Sequence, residues 1–242
     1  MNILKFDSEA KLNETAARII TSTVQVNPSA VLGLATGGTP IGIYKQLVQD
    51  YKEGLVSFKN VSTYNLDEYV GLSPDHHQSY SYYMNENLFK HVDVDASRTH
   101  IPSGLADNLD EECRQYDERI QAAGRVDIQL LGLGHNGHIG FNEPAEELSS
   151  STHVVNLAAE TKQANARFFT ENEEVPGQAI TMGVGTILKA KMLMLVVKGA
   201  DKAEIVKRAL TGPITTQCPA SLLQTHPQLV VLVDEAAGSL LR

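Results

Sequence analysis

Tryptophan is absent from this chain of 242 residues, and cysteine occurs only twice, at Cys113 and Cys218. Two cysteines so far apart exclude a disulfide framework and every Cys-x2-Cys or Cys/His zinc spacing. Positive charge is also in deficit, with 20 Lys and Arg against 29 Asp and Glu, a formal net charge of −9. That balance argues against nucleic acid or an anionic membrane as a partner. An anionic ligand would need a local cationic pocket set against the global charge. Long apolar runs are missing too. The longest, MLMLVV at Met192–Val197, is far too short to span a bilayer. The opening MNILKFDSEAKL lacks the apolar core of a signal peptide, so the chain is expected to act in the cytoplasm. No Pro/Gly/Ser linker, repeat or low-complexity block divides it, so residues 1–242 are expected to form a single α/β domain.

What is present is an alternation of apolar and amphipathic segments. Residues 10–26 carry Leu12, Ala16, Ile19, Ile20 and Thr23 at helical spacing. AVLGLAT (30–36) follows as a buried strand, and TPIGIYKQLVQDYKEG (39–54) as a helix with Pro40 in its first turn and Gly54 at its end. VSTYNL (61–66), VDIQLLGLG (126–134), MLMLVVKG (192–199) and LVVLVD (229–234) read as strands, and HVVNLA (153–158) as a short one. Helices are expected over 79–92, 107–124, 161–169, 180–190 and 200–212. Strands that stay apolar without alternation are buried on both faces, as in a parallel sheet covered by helices. The expected fold is three-layer α/β/α with a mostly parallel, Rossmann-like sheet. Ligands of such sheets sit beyond the carboxyl ends of the strands.

Three segments that follow strands carry the candidate chemistry. In ATGGTP, Gly37 and Gly38 lie between Thr36 and Thr39 at the mouth of a helix. Glycines admit close approach of an anion to backbone N–H groups, and the helix dipole favours negative charge there. The alternative is a tight strand–helix turn capped by Thr39. In NLDEY, Asp67 and Glu68 follow a strand directly, and at most one of them can face a pocket. A carboxylate so placed can take a proton from carbon or hold a hydroxyl; it can equally be a solvated loop or a helix cap. GHNGHIGFNEP (134–144) holds His135, Asn136, His138 and Glu143. His-x2-His-x4-Glu among glycines does not match the helical HExxH platform, so no metal site is assigned. His138 beside Asn136 and Glu143 suits a proton shuttle, and His135 suits an ordinary loop histidine. Arg167 and Lys202 are the cations that could meet a phosphate.

LATGGTP, NLDEYVGL, the GHNGHIGFNEP run, ANARFF, the MGVGTIL run and GADK occur in that order. Together they resemble the glucosamine-6-phosphate deaminase family, over residues 30–234. The lactonases of related fold would carry an arginine after the Asp-Glu pair and Thr-Ala-Ser after Gly-His. Here Tyr69 and Ile139-Gly140-Phe141 stand in those places, which is the deaminase pattern. The resemblance implies isomerising deamination of glucosamine 6-phosphate to fructose 6-phosphate and ammonium. Asp67 would carry the C2 proton to C1, and His138 would open the pyranose ring with help from Glu143 and Asn136. Thr36, Gly37, Gly38, Thr39, Arg167 and Lys202 would line the substrate and its phosphate. One carboxylate and one imidazole suffice, so no cofactor is implied. The partner implied is a small phosphosugar. The other readings are a lactonase-like hydrolase on the same scaffold and a non-catalytic sugar-phosphate sensor.

Two departures from the family pattern matter. Asn136 replaces an aspartate of some members, so it can orient His138 without adding charge. Allosteric, hexameric members bind N-acetylglucosamine 6-phosphate through serines and basic residues after the Asn-Glu-Pro motif. Glu146 and Glu147 hold those serine positions here, and His153 and Val155 the basic ones. Two carboxylates would repel an activator phosphate. No activation by that ligand is expected, and a monomer rather than a homo-oligomer.

Overall fold

The computed structural model describes residues 1–157 and 175–241. Its large sheet has seven strands in the order β1-β10-β9-β6-β2-β3-β5. They are β1 (Asn2–Phe6), β2 (Val31–Leu34), β3 (Ser62–Asn65), β5 (Thr99–His100), β6 (Ile128–Leu131), β9 (Met192–Val197) and β10 (Leu229–Asp234). Every neighbouring pair is parallel. Helices α1 (Glu9–Val26), α2 (Ile41–Lys52), α3 (Tyr80–Asn87), α4 (Leu109–Ala122), α5 (Val184–Leu188) and α6 (Ala203–Thr211) complete the described elements with short 3-10 turns. The expected three-layer α/β/α arrangement, with its parallel sheet, is what the chain adopts.

Local sequence explains the main elements. Serine 8 caps α1 through its side chain, and Leu12, Ala16, Ala17, Ile20 and Val24 form the buried face. All four residues of β2 and of β6 are buried, which removes the polar alternation seen in half-exposed strands. Gly33 is required at the centre of the sheet. A Cβ there would lie 2.0 Å from Oε1 of the fully buried Gln129, its parallel partner on β6. The missing side chain of Gly33 is what makes room for Gln129 in this register.

Three expectations at element level need correction or extension. The opening residues form β1, an edge strand with exposed positions, which the apolar-run criterion did not pick out. Asp67–Tyr69 is not a loop but β4, in a second sheet of order β4-β8-β7 with β7 at His153–Asn156. Residues 180–190 are not helical throughout. Gln178–Thr181 is strand β8, antiparallel to β4 and β7, and the helix is confined to Val184–Leu188. The long-range pairing of Asp67 with Thr181 and Glu68 with Ile180 overrides the local helical spacing. The helix expected over 161–169 lies outside the described residues.

The topology decides where a ligand can sit. From β2 the chain steps outward to β3 and β5, then returns to β6 on the other side of β2. The loops leaving β2 and β6 therefore diverge at a topological switch point, which opens a crevice at the carboxyl ends of these strands. The small sheet starts at Asp67, two residues beyond the end of β3. Among the described residues no helix is long and apolar enough to cross a membrane.

Candidate active site

A cleft of about 430 Å³ opens at this switch point. Thr36, Gly38 and Thr39 reach it from the loop after β2, and Asp67 from β4. Tyr80 comes from the first turn of α3, and Gly134, His135, Asn136, His138, Gly140 and Phe141 from the loop after β6. Lys202 enters from the turn before α6.

Asp67 and Glu68, adjacent in sequence, do different things. Neighbours on a strand point to opposite faces. Glu68 turns to the amino end of α3, where Oε1 accepts from the backbone N–H groups of Tyr69 and Tyr80 and Oε2 from that of Ser81, each at 2.9 Å. Burial pushes its carboxyl above the ordinary value, and those three donors oppose the shift. Asp67 faces the cleft at 6% exposure. Burial, followed by the charge of Glu68, pushes its carboxyl from 3.8 up to about 8.

His138 is held from behind. Its Nδ1 lies 2.8 Å from Asn136 Oδ1 and 3.3 Å from Glu143 Oε2. The Asn136 amide donates to Glu143 Oε2 at 2.6 Å, which turns its carbonyl oxygen towards the histidine. An acceptor at Nδ1 places the ring proton there and leaves Nε2 as the nitrogen available to a ligand. Gly134 lets the ring sit against the backbone, since a Cβ at that position would lie 2.2–2.4 Å from three ring atoms. Gly140 adopts φ +57°, and a Cβ there would stand 2.9 Å from Thr181 Oγ1 and 3.5 Å from Asp67 Oδ2. The same loop is pinned over Asp67 by Phe141 N–H donating to Thr181 Oγ1 at 3.1 Å and by the Asn142 amide donating to Met182 O at 2.8 Å. His135 instead pairs with Asp201 across the mouth, Nε2 to Oδ2 at 2.6 Å.

The opposite end of the cleft is suited to an anion. Tyr44 binds Ala35 through both backbone groups, donating to its oxygen at 2.6 Å, and Tyr83 donates to Gly37 O at 2.6 Å. These tyrosines fix the loop shape, with Gly37 at φ +99°. The cap position of α2 is Pro40 and carries no side-chain cap, so Thr39 is not spent on capping. Lys202 Nζ donates to Leu133 O at 2.8 Å, and burial pulls its amine below the ordinary lysine value. Its turn is anchored by Gly199 N–H donating to Asp234 at 2.9 Å.

Of the residues picked out from sequence, Thr36, Gly38, Thr39, Asp67, Asn136, His138 and Lys202 meet in this one cleft. Glu143 stands behind His138, and Gly37 shapes the loop without lining the cavity. Arg167 lies outside the described residues. Tyr80 and Phe141 also line the cleft, with rings stacked at 6.2 Å between centroids, and sequence reasoning missed both. The aromatic run SYSYYM after the Asp-Glu pair was the available signal for Tyr80.

Known proteins share the sequence and fold of this chain. The family described as glucosamine-6-phosphate isomerases/6-phosphogluconolactonase matches residues 6–231. A glucosamine-6-phosphate deaminase of Clostridium perfringens is 51% identical over 242 residues, all of both chains. One from Bacillus velezensis is 53% identical over 238 residues, 98% of this chain and 99% of that one. A solved monomeric glucosamine-6-phosphate deaminase superposes with a TM-score of 0.96 at 48% identity, over 99% of this chain and 100% of the other.

Proposed function

The chain belongs to the glucosamine-6-phosphate isomerase/6-phosphogluconolactonase family, and we propose that it catalyses the isomerising deamination of D-glucosamine 6-phosphate to D-fructose 6-phosphate and ammonium. The observation that carries this reading is the convergence of a buried carboxyl, Asp67, and a back-supported imidazole, His138, on one cleft.

The pyranose cannot isomerise, because its C2 hydrogen is not beside a carbonyl. His138 Nε2 takes the O1 proton and returns it to the ring oxygen, which opens the ring. Asn136 and Glu143 hold the imidazole through Nδ1. The aldehyde acidifies C2, and Asp67 abstracts that proton. Moving a proton from nitrogen to the former carbonyl oxygen gives an enolamine. Asp67 then delivers its proton to C1, which leaves an iminium at C2. Water adds there and ammonium departs. The phosphate, gripped by the loop at Thr36–Thr39 and by Lys202, supplies binding energy remote from the reacting carbons and holds them in register.

A lactonase reading is less well supported. Tyr69 stands where an arginine is expected in lactonases, and it is buried against Tyr80 and Phe141 rather than offering a cation. We further infer that the enzyme is a cytoplasmic monomer of the amino-sugar degradation route. The test is ammonia release from glucosamine 6-phosphate beside hydrolysis of 6-phosphogluconolactone. Ammonia release with no lactone hydrolysis is expected. Lactone hydrolysis without ammonia would overturn the proposal.

A further inference from the structure

The Asp67 carboxyl makes no hydrogen bond and no ion pair among the described residues, although it is 6% exposed. Among the described residues, the titratable groups whose interactions reach it supply no positive charge. Glu68 on the same strand is a second carboxyl. Tyr44 from α2, Tyr80 from α3 and Tyr116 from α4 feel the charge of Asp67, and burial raises each phenol well above its ordinary value. The basic side chains that line the cleft are engaged elsewhere, His135 with Asp201. Lys202 Nζ donates to Leu133 O, and His138 Nδ1 is held by Asn136 and Glu143. Burial with no positive partner among the described residues therefore favours the protonated carboxyl, which cannot accept a proton from carbon. Such a site must be supplied with positive charge before its base can work.

We propose that the 2-ammonium group of the substrate is the countercation of Asp67, so that a 2-amino-2-deoxy sugar phosphate ionises the base that then acts on its own C2. This rests on the deaminase reading above and deepens it to the selectivity of the site. The proton balance is simple. On binding, Asp67 releases its proton to solvent and the carboxylate pairs with the ammonium. In the chemical step the same carboxylate takes the C2 proton. A 2-hydroxy sugar phosphate or an N-acylated one brings no charge, so Asp67 stays protonated and the ligand gains neither affinity nor a base. Asp67 thus both selects the amine and carries the proton.

The experiment is titration calorimetry at pH 7 in two buffers of different ionisation heat. The probes are 2-amino-2-deoxyglucitol 6-phosphate, an open-chain ligand that cannot react, and glucitol 6-phosphate, which lacks only the amine. The amine is expected to release close to one proton more than the alcohol and to bind at least about tenfold more tightly. Its affinity should rise by about tenfold per pH unit between pH 6 and 7.5 relative to the alcohol's. Asp67→Asn should erase the excess proton release while both ligands still bind. Equal proton release by the two ligands in the native enzyme, or an excess that survives in Asp67→Asn, would overturn the proposal even if ammonia release is intact. Failure of both ligands to bind would sink the deaminase reading along with it.

Discussion

At position 67 a single carboxyl links stability to catalysis. Its folded value of about 8 lies above the ordinary 3.8, so the folded chain holds a proton that the unfolded chain has lost between those limits. Stability from the protonated form is complete below the unfolded value and is lost as pH rises towards 8, by up to about 1.4 kcal/mol per pH unit. Asp67→Asn removes that loss. The variant is expected to lose about 10³-fold in ammonia release while its thermal midpoint exceeds the native one by a margin that grows from pH 4 to pH 8 and then levels. A margin independent of pH would contradict the assignment. Glu68→Ala has the opposite signature. It strips the N–H of Tyr69 in β4 and those of Tyr80 and Ser81 at the start of α3 of their acceptor, a loss of about 1–3 kcal/mol, read as a lowered denaturant midpoint. The sequence implied only that at most one of the two carboxylates could face a pocket. Apart from the family resemblance, spacing could not say which one faced the cleft, because that depends on α3 docking its amino end against Glu68, a contact made 12 and 13 residues away.

Among the elements, the loop after β6 is where backbone shape controls chemistry. Gly134→Ala puts a methyl into the space of the His138 ring without touching the core, so the imidazole must move. We expect about a 10² drop in turnover with the thermal midpoint within a few degrees of native. Parallel losses of activity and stability would show that the residue only supports the fold. The legibility of elements follows the same division between local and distant causes. The buried strands β2, β6, β9 and β10 are readable because burial on both faces leaves runs that are mostly apolar and lack polar alternation. The edge strand β1 was not, because three of its five residues face solvent. Strand β8 read as helix because only four residues pair there and their partners, β4 and β7, are remote in sequence. Tyr80 and Phe141 were hidden for a related reason: each sits in a segment already accounted for, and only the folded chain turns them into the cleft.

For the molecule as a whole, charge decides which anions it can bind. Against a net charge of −9, Lys202 is the only Lys or Arg among the described residues that line the cleft. A second hollow, of about 370 Å³, lies between α4 and β7, bordered by Asp110, Asp117 and Glu118 together with Arg114 and His153. Arg114 is already paired with Glu111 and Glu118, and Asp117 accepts from Thr152 and Thr186. Glu146 and Glu147, just after the active-site loop, are exposed carboxylates. A phosphate monoester meets more carboxylates than Lys or Arg side chains at both places, and Arg114 is already paired. N-acetylglucosamine 6-phosphate is therefore expected to leave the enzyme unchanged. Velocity against glucosamine 6-phosphate should be hyperbolic, with curves that superimpose with and without millimolar effector and at every enzyme concentration. Sedimentation should give the mass of one chain. A sigmoidal curve that the effector shifts to the left would refute the expectation. Sedimentation would then separate an effector bound within one chain from an assembled oligomer.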